Sequence, residues 1–412
     1  MTIAVEVPSD ELGPVASTEM WAEIYDRVAA HILSHRTTLV FVGTRRMSER
    51  VTFALTERLG EGTVMAHHGS LSREARFDAE TRLKNGDVRA VVATASLELG
   101  IDVGSIDLVV QLGSPRSISV ALQRIGRSGH WVGAKPEGRL FATTRDELLE
   151  CASLVRSIRA GTIDALVIPP APLDILAQQI VAATAAEEWS VDDLYALVRC
   201  AHPYRELERA AYDDVLAMLA DGVAHSRGRS GAYLHYDRVN GHVRARRGAR
   251  IAAITSGGAI PETANYNVVV EPEGQVIGTL DEDFAVESLS GDIFLLGTNS
   301  WRIRRIEPGI VRVDDAHGAA PTVPFWNGEG LGRTIELSRE VAAVRTAIDE
   351  RDDATAQSWL LEECGLDRGG AEQAVAYVRA GKKVLGVVPT DRTVVAERFF
   401  DEGGGMQLIL HT

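Results

Sequence analysis

TASLELGIDVGSIDLVVQLGSPRSISVALQRIGRSGH, residues 94–130, decides how this chain reads. Within it, IDLVVQLG is a continuous apolar run of strand length that ends in a loop. The closing QRIGRSGH sets Arg124 and Arg127 three apart, where one helical turn carries both on one face. Gly126 and Gly129 leave little side chain between those guanidiniums and an approaching anion. Arginine grips phosphate with a planar fork. A lone RxxR is an ordinary solvated helix end. Here a second apolar strand, VRAVVAT, runs into TASLELGID in the same way, and two strand-to-loop motifs in register point to a site.

The pattern continues towards the N-terminus. Residues 1–20 read as a polar lead-in. A helix follows from about Trp21 to His35, with Ile24, Val28, Ile32 and Leu33 at helical spacing. TTLVFVGTRR is a strand ending in a loop, and a helix then runs to about Leu59. TVMAHHGSLS is a strand and turn with Ser72 as an N-cap, and RLFATT is a further strand. Strands and helices alternate, and the strands are unbroken apolar runs, so a parallel sheet covered on both faces is expected. Ligands of such sheets sit at the carboxyl ends of the strands. Thr44, Arg45, His68, Gly69, Thr94 and Asp102 all fall just past a strand.

SLELGIDVG, DLVVQLGSPRS and ALQRIGRSGH resemble motifs V and VI of the superfamily 2 helicases, and in their wording the large helicase-related family, Lhr. The last place of motif VI departs from the general pattern, with His130 where arginine is common. The resemblance implies that residues 1–160 are the second RecA-like domain of a helicase core. Arg124 and Arg127 would meet the phosphates of ATP, Arg127 as an arginine finger. Gly100 and Asp102 would line the nucleotide cleft. Arg45 or Arg46 and Thr94 would hold backbone phosphates of a tracked strand, with His68, Gly69 and Ser70 beside them. Taken singly, Thr94 could cap a helix and Asp102 could satisfy loop amides. The whole enzyme would be an ATP-dependent helicase that moves 3′ to 5′ on single-stranded DNA, unwinds DNA and RNA–DNA duplexes, and serves DNA repair.

Beyond the sheet, VIPPAPLD is a linker. Three helical patterns follow, through LDILAQQIVAATAA, SVDDLYALVRCA with Ser190 as N-cap, and RELERAAYDDVLAMLADG closed by Gly222. AYLHYDRV and HVRARRG flank Asn240-Gly241, a pair suited to a type I′ hairpin turn. Three helices and a hairpin make a winged helix, expected over residues 161–250. Its wing carries Arg244, Arg246, Arg247 and Arg250, either for phosphates or as a charged edge that deters strand pairing. From 251 to 412 short strands such as YNVVVEP, DIFLLGT and SWRIRRI suggest a barrel or sandwich. Helices from about Glu336 and two final strands complete this third, mixed β/α segment. Two residues in Gly-rich loops are candidates for touching bases, Trp326 by stacking and Ile260 as a wedge; each could instead anchor its loop.

The 412 residues, 45% hydrophobic and 25% charged, fit two or three globular domains. A net charge of −15 opposes indiscriminate nucleic-acid binding, so any track is a local basic or aromatic lining. Cys151, Cys200 and Cys364 are odd in number and scattered, which fits a reducing cytoplasm and no Cys-based metal site. No apolar run is long enough to cross a bilayer, and MTIAVEVPSDELG does not read as a secretory leader. A GxxxxGK[ST] loop is missing. Gly381-Lys382 lacks the earlier glycine, and Asp281-Glu282-Asp283 reads as a solvated turn. By comparison with Lhr the chain is therefore expected to be a piece of a longer helicase. ATP and Mg²⁺ would bind together with a first RecA-like domain supplied in cis or in trans. The alternative is a non-catalytic single-strand-binding protein with a degenerate RecA-like unit. Intact motifs V and VI disfavour it, because simple binding requires neither.

Overall fold

The computed structural model describes residues 1–98, 104–129, 133, 135–225, 228–230, 232–255, 265–297, 299–307, 309–322, 324, 332–400 and 406–412. They form two compact units, one of Met1–Ala165 with Thr263–Thr412 and one of Leu166–Glu262.

In the first unit, β1 (Thr2–Glu6), β2 (Thr38–Phe41), β3 (Val64–His67), β4 (Ala90–Ala93), β5 (Leu108–Leu112) and β6 (Glu137–Phe141) lie in the order β1-β6-β5-β2-β4-β3. Every neighbouring pair is parallel. Helices α1 (Thr18–Ser34), α2 (Arg45–Leu59), α3 (Arg73–Asn85) and α4 (Ile118–Ile125) lie between strands, and α5 (Arg145–Ala160) follows β6. The unbroken apolar runs follow from burial on both faces. In β2, Leu39 and Phe41 enter one core while Val40, and Val42 just past the strand, enter the other, and in β4 Val91 and Ala93 oppose Ala90 and Val92. All five helices begin on a hydroxyl that accepts a backbone N–H: Ser17, Thr44, Ser72, Ser117 and Thr144.

The second unit contains α6 (Leu173–Ala186), β7 (Trp189–Ser190), α7 (Val191–Arg199), α8 (Arg209–Asp221), β8 (Val223–His225), β9 (Gly228–Ser230), β10 (Leu234–Asp237), β11 (His242–Ala245) and α9 (Ala249–Thr255). Three helices with the sheet β10-β11-β7 are a winged helix. Ser190 caps α7 and Gly222 ends α8, as read from sequence. The wing differs in its turn. Asp237 pairs with His242, so the loop is Arg238–Gly241, not a two-residue type I′ turn. Asp237 accepts from the Val239 and Asn240 amides and from the Asn240 side chain, which closes a longer turn in which Gly241, but not Asn240, has a positive φ.

Past the winged helix the chain returns to the first unit as β12 (Asn265–Val270), β13 (Gln275–Asp281), α10 (Glu282–Glu287), β14 (Ile293–Leu296), β15 (Asn299–Glu307) and β16 (Ile310–Asp315). Among the described residues these strands make one open sheet, β13-β12-β16-β15-β14, and do not close into a barrel. Ile303 is buried and Trp301 is half-buried against the same core, with the Trp301 indole N–H donated to Leu296 O. Asp281 is the N-cap of α10, accepting from the Asp283 amide, where the sequence suggested a solvated turn. The last elements are α11 (Ile335–Asp349), α12 (Asp353–Cys364), α13 (Arg368–Leu385), β17 (Val395–Phe400) and β18 (Met406–His411).

Two expectations change here. The three late helices do not build a domain with the 263–316 sheet. Leu337, Val341, Leu360, Cys364 and Val375 join the core formed by α5 and one face of the parallel sheet. The polar lead-in, in turn, contains the edge strand β1. Its Ile3 and Val5, and Val7 just after it, are buried in that same core, and the Val5 amide is donated to Gly365 O. Gly365 ends α12 at φ +65°, and a Cβ there would stand 3.2 Å from Ile3 O, so a side chain would be both strained and crowded. Val5→Asp is expected to destabilise this unit by about 3–5 kcal/mol, the range for an uncompensated buried charge. Thr2→Asp, on the exposed first position of the strand, should stay within about 0.5 kcal/mol. Chemical denaturation of the two variants measures the difference.

Candidate functional site

Because all six strands run one way, the loops after β2, β3, β4 and β5 emerge at one edge. The order β5-β2-β4-β3 sets the Arg45 loop between the α4 segment and the Thr94 loop, with His68–Ser70 beyond. Sequence-distant candidates are thereby gathered into one row.

Arg124 and Arg127 meet at Glu98. The Arg124 guanidinium donates to the Glu98 carboxylate at 3.0 and 3.1 Å and to Gln111 Oε1 at 2.9 Å, and it stacks 5.0 Å from the Phe41 ring centroid. Arg127 donates Nε and Nη2 to the Glu98 carbonyl at 2.9 and 2.6 Å. Arg124 is only 7% exposed, so as it stands it is an internal strut and not an open phosphate ligand, whereas Arg127 is half-buried. Burial pushes the Arg124 guanidinium below its ordinary value, and Glu98 opposes that. Glu98 was not singled out from sequence. The signal was its place four residues past Thr94, inside the motif itself.

Thr94 starts a short 3₁₀ turn without a side-chain capping bond, so the capping alternative does not describe it. Arg45 is half-buried and donates to Ser70 Oγ at 2.8 Å, and Arg46 is exposed. Gly69 is exposed, but Ser70 and His68 are not. Here the expectation of a surface contact is corrected. The His68 ring is wholly buried, its Nδ1 accepting from the Ser70 amide and its Nε2 bonded to Glu49 at 2.7 Å. His68 shapes the loop from within. Gly100, Asp102, His130, Ile260 and Trp326 lie outside the described residues.

Behind the arginines, a cavity of about 220 Å³ opens among Thr44, Gly113, Arg116, Arg124 and Glu147 at the ends of β2, β5 and β6. The start of α4 is held by Asp164. Its Oδ2 accepts from Ser117 Oγ at 2.6 Å and from the Ser119 amide at 2.8 Å, and its Oδ1 accepts from Thr334 Oγ1 at 2.7 Å. A carboxylate at a helix N-terminus is favourable, and here it also ties α4 to the cap of α11.

In the winged helix, Arg246 donates to Leu234 O at 2.6 Å and Ala220 O at 3.2 Å, so it braces the end of α8. Arg246 is nevertheless exposed, as are Arg244, Arg247 and Arg250. The α8 helix carries Asp213, Asp214 and Asp221, and its Arg209 is engaged by Asp192 and Asp213. That charge does not suit a phosphate backbone. Among the described residues no group of acids, histidines or cysteines is placed to hold a metal ion, and no helix is long and apolar enough to cross a membrane.

Two family models match the chain, a helicase conserved C-terminal domain over residues 21–132 and the winged helix domain of large helicase-related protein over 156–323. The chain belongs to the Lhr family. It is 37% identical to Escherichia coli "Lhr helicase/uracil glycosylase" over 95% of this chain and 28% of that protein. It is 35% identical to the Methanocaldococcus jannaschii "ATP-dependent helicase Lhr-Core" over 97% of this chain and 46% of that one. A solved structure of Mycobacterium smegmatis helicase Lhr bound to ssDNA and AMP-PNP superposes with a TM-score of 0.76 at 34% identity. That match covers 100% of this chain and 50% of the solved one. The chain thus spans half or less of the Lhr proteins it matches. Its row of loops is the carboxyl edge of an Lhr-type second RecA-like domain.

Two measurements probe the braces. Burial pushes the Asp164 carboxyl up, but its bonds from Ser117, Ser119 and Thr334 outweigh that and hold it below the ordinary range. Its stabilisation is complete above about pH 3.9 and is lost as pH falls through the lowered value. Asp164→Asn is expected to melt below the wild type at neutral pH, with the gap closing below about pH 4. In the wing, replacing Arg244 and Arg247 with alanine should flatten the salt dependence of single-strand binding by roughly 0.7 log unit for each phosphate left without its arginine. Arg246→Ala should lower the melting temperature and leave that slope unchanged.

Proposed function

We propose that this chain is the arginine-supplying and strand-tracking part of an ATP-dependent Lhr-type helicase. The observation that carries this is the double attachment of Arg124 and Arg127 to Glu98, four residues from Thr94. A shift of the strand at Thr94 is thereby delivered to Arg127 through one short turn. A binding protein with no motor has no use for such a link.

In this reading Arg45, Arg46 and Thr94 hold backbone phosphates of single-stranded DNA along the row of loops, with Gly69 beside them. Trp326 stacks on a base and Ile260 wedges between bases, as proposals resting on their sequence context. Wing residues Arg244 and Arg247 add phosphate contacts. Arg127 turns to the γ-phosphate of ATP bound on a first RecA-like domain, and Arg124 holds the turn that aims it. MgATP supplies the phosphoryl bond whose cleavage drives the motor. The residues present fit one end of that group: the Arg127 guanidinium would suit its terminal phosphate, while the P-loop lysine and metal-binding acid have no match in the sequence. Gly100 and Asp102 would line the same cleft. Translocation 3′ to 5′, action on RNA–DNA hybrids and a place in DNA repair belong to this proposal through the family.

The chain by itself is expected to show no DNA-stimulated ATP turnover. Joined or mixed with an Lhr first RecA-like domain it should gain that turnover, and Arg127→Ala should then remove about 10³–10⁵-fold of it. Single-strand affinity should survive that change. ATP turnover by the isolated chain, or full activity of the joined Arg127→Ala protein, refutes the assignment.

A further inference from the structure

We infer that Glu49 and the sheet of residues 265–315 position the Arg45–Ser70 loop pair, which makes that sheet a working part of the nucleic-acid grip. The inference rests on the reading of Arg45 as a phosphate contact. Neither Glu49 nor the sheet touches the strand in this account; they act through the loop.

Glu49 lies one helical turn past Arg45 on α2, and its side chain is wholly buried. Its Oε1 accepts from His68 Nε2 at 2.7 Å and from the Gly297 amide at 2.7 Å. One carboxylate oxygen therefore joins α2, the loop after β3 and the turn between β14 and β15. Glu49 Oε2 has no hydrogen-bond partner among the described residues. His68 Nδ1 accepts from the Ser70 amide, so the proton on Nε2 is the one donated to Glu49. Burying a carboxylate against neutral donors, with one oxygen unmet, costs folding free energy that an apolar side chain would not. Its position at the meeting point of three segments fits a role in geometry.

The backbone says the same thing independently. Residues 70–72 add to the edge of β13: Thr279 N donates to Ser70 O at 2.7 Å, Ser72 N donates to Ile277 O at 3.0 Å, and Leu71 bridges Gly278. Leu71 and Ala66 sit in the same core as Val268, Leu280 and Phe294. At Gly278 a Cβ would stand 2.4 Å from Ser70 O, so any side chain there displaces the loop. On its outer side the loop receives Arg45 at Ser70 Oγ, at 2.8 Å. A path of direct bonds thus runs from the late sheet to the arginine, through residues more than 200 positions apart in sequence.

The test is a binding cycle on the full chain with a fluorescent oligothymidylate. Arg45→Ala should weaken binding. Glu49→Ala should weaken it by about tenfold while circular dichroism and cooperative melting are kept, and the same change in the Arg45→Ala background should cost little more, as coupled residues require. Glu49→Gln retains the Oε1 acceptor and should restore most of the affinity. Gly278→Ala, acting from the far side of the joint, should reproduce Glu49→Ala. Hydrogen exchange of the wild type needs no variant: the oligonucleotide should slow exchange at Ser70, Ser72 and Thr279 together. Additive losses, unaltered affinity in Glu49→Ala and Gly278→Ala, or protection that stops at Ser72 would overturn the positioning role alone. A wild-type chain that does not bind, or an Arg45→Ala variant that binds normally, would overturn the phosphate reading and this inference with it.

Discussion

The parallel direction of the six-stranded sheet is the constraint on which everything else in the first unit rests. Parallel strands need long crossovers, and each crossover begins at the same edge. Arg45, Ser70, Thr94 and Arg124 are spread over 80 residues of sequence, yet they stand in neighbouring loops because β5, β2, β4 and β3 are adjacent. The same geometry demands cover on both faces. Helices α1 and α2 cover one face. On the other, α5 is joined by α11 and α13 from the far end of the chain.

Two of the buried charged side chains among the described residues of this unit differ in kind. Glu98 and Arg124 neutralise one another, with Gln111 and Phe41 completing the guanidinium's surroundings. Among the described residues Glu49 has only neutral donors, His68 and the Gly297 amide. The first pair links α4, after β5, to the loop after β4, across the intervening position of β2. The second links the row to a sheet that the chain forms after an entire intervening domain. Both are expensive relative to an apolar core, and both occur where loops must keep a fixed spacing.

The winged helix combines a sound topology with a surface that carries acid where a groove-reading relative would carry base. Asp213, Asp214 and Asp221 lie on α8, and the Arg246 guanidinium, though exposed, is turned to backbone carbonyls, whereas Arg244 and Arg247 are exposed at the wing and Arg250 on α9. Basic residues counted along a wing are therefore a poor measure of phosphate contact. Which of them are occupied depends on the carbonyls within reach.

The sequence by itself determined the elements whose cause is local. Apolar runs bounded by loops marked β2 to β6, Ser72 and Ser190 marked two helix starts, and QRIGRSGH put two arginines on one turn. It also determined the order of modules, since a proline-rich linker and a change of periodicity mark the winged helix. Tertiary structure alone decided the rest, because there the partner is remote. Thr2–Glu6 is too short to declare itself a strand until β6 and Gly365 flank it. Helices α11 to α13 are amphipathic anywhere, and only packing assigns them to the first unit. His68 follows a strand like any ligand-binding loop residue, but Glu49 draws it inside. Glu98 looks like a spacer in its motif until the fold returns α4 beside it. Periodicity and caps act over a few residues and can be read. A buried carboxylate finds its partner across tens or hundreds of residues, and nothing in its own neighbourhood names that partner.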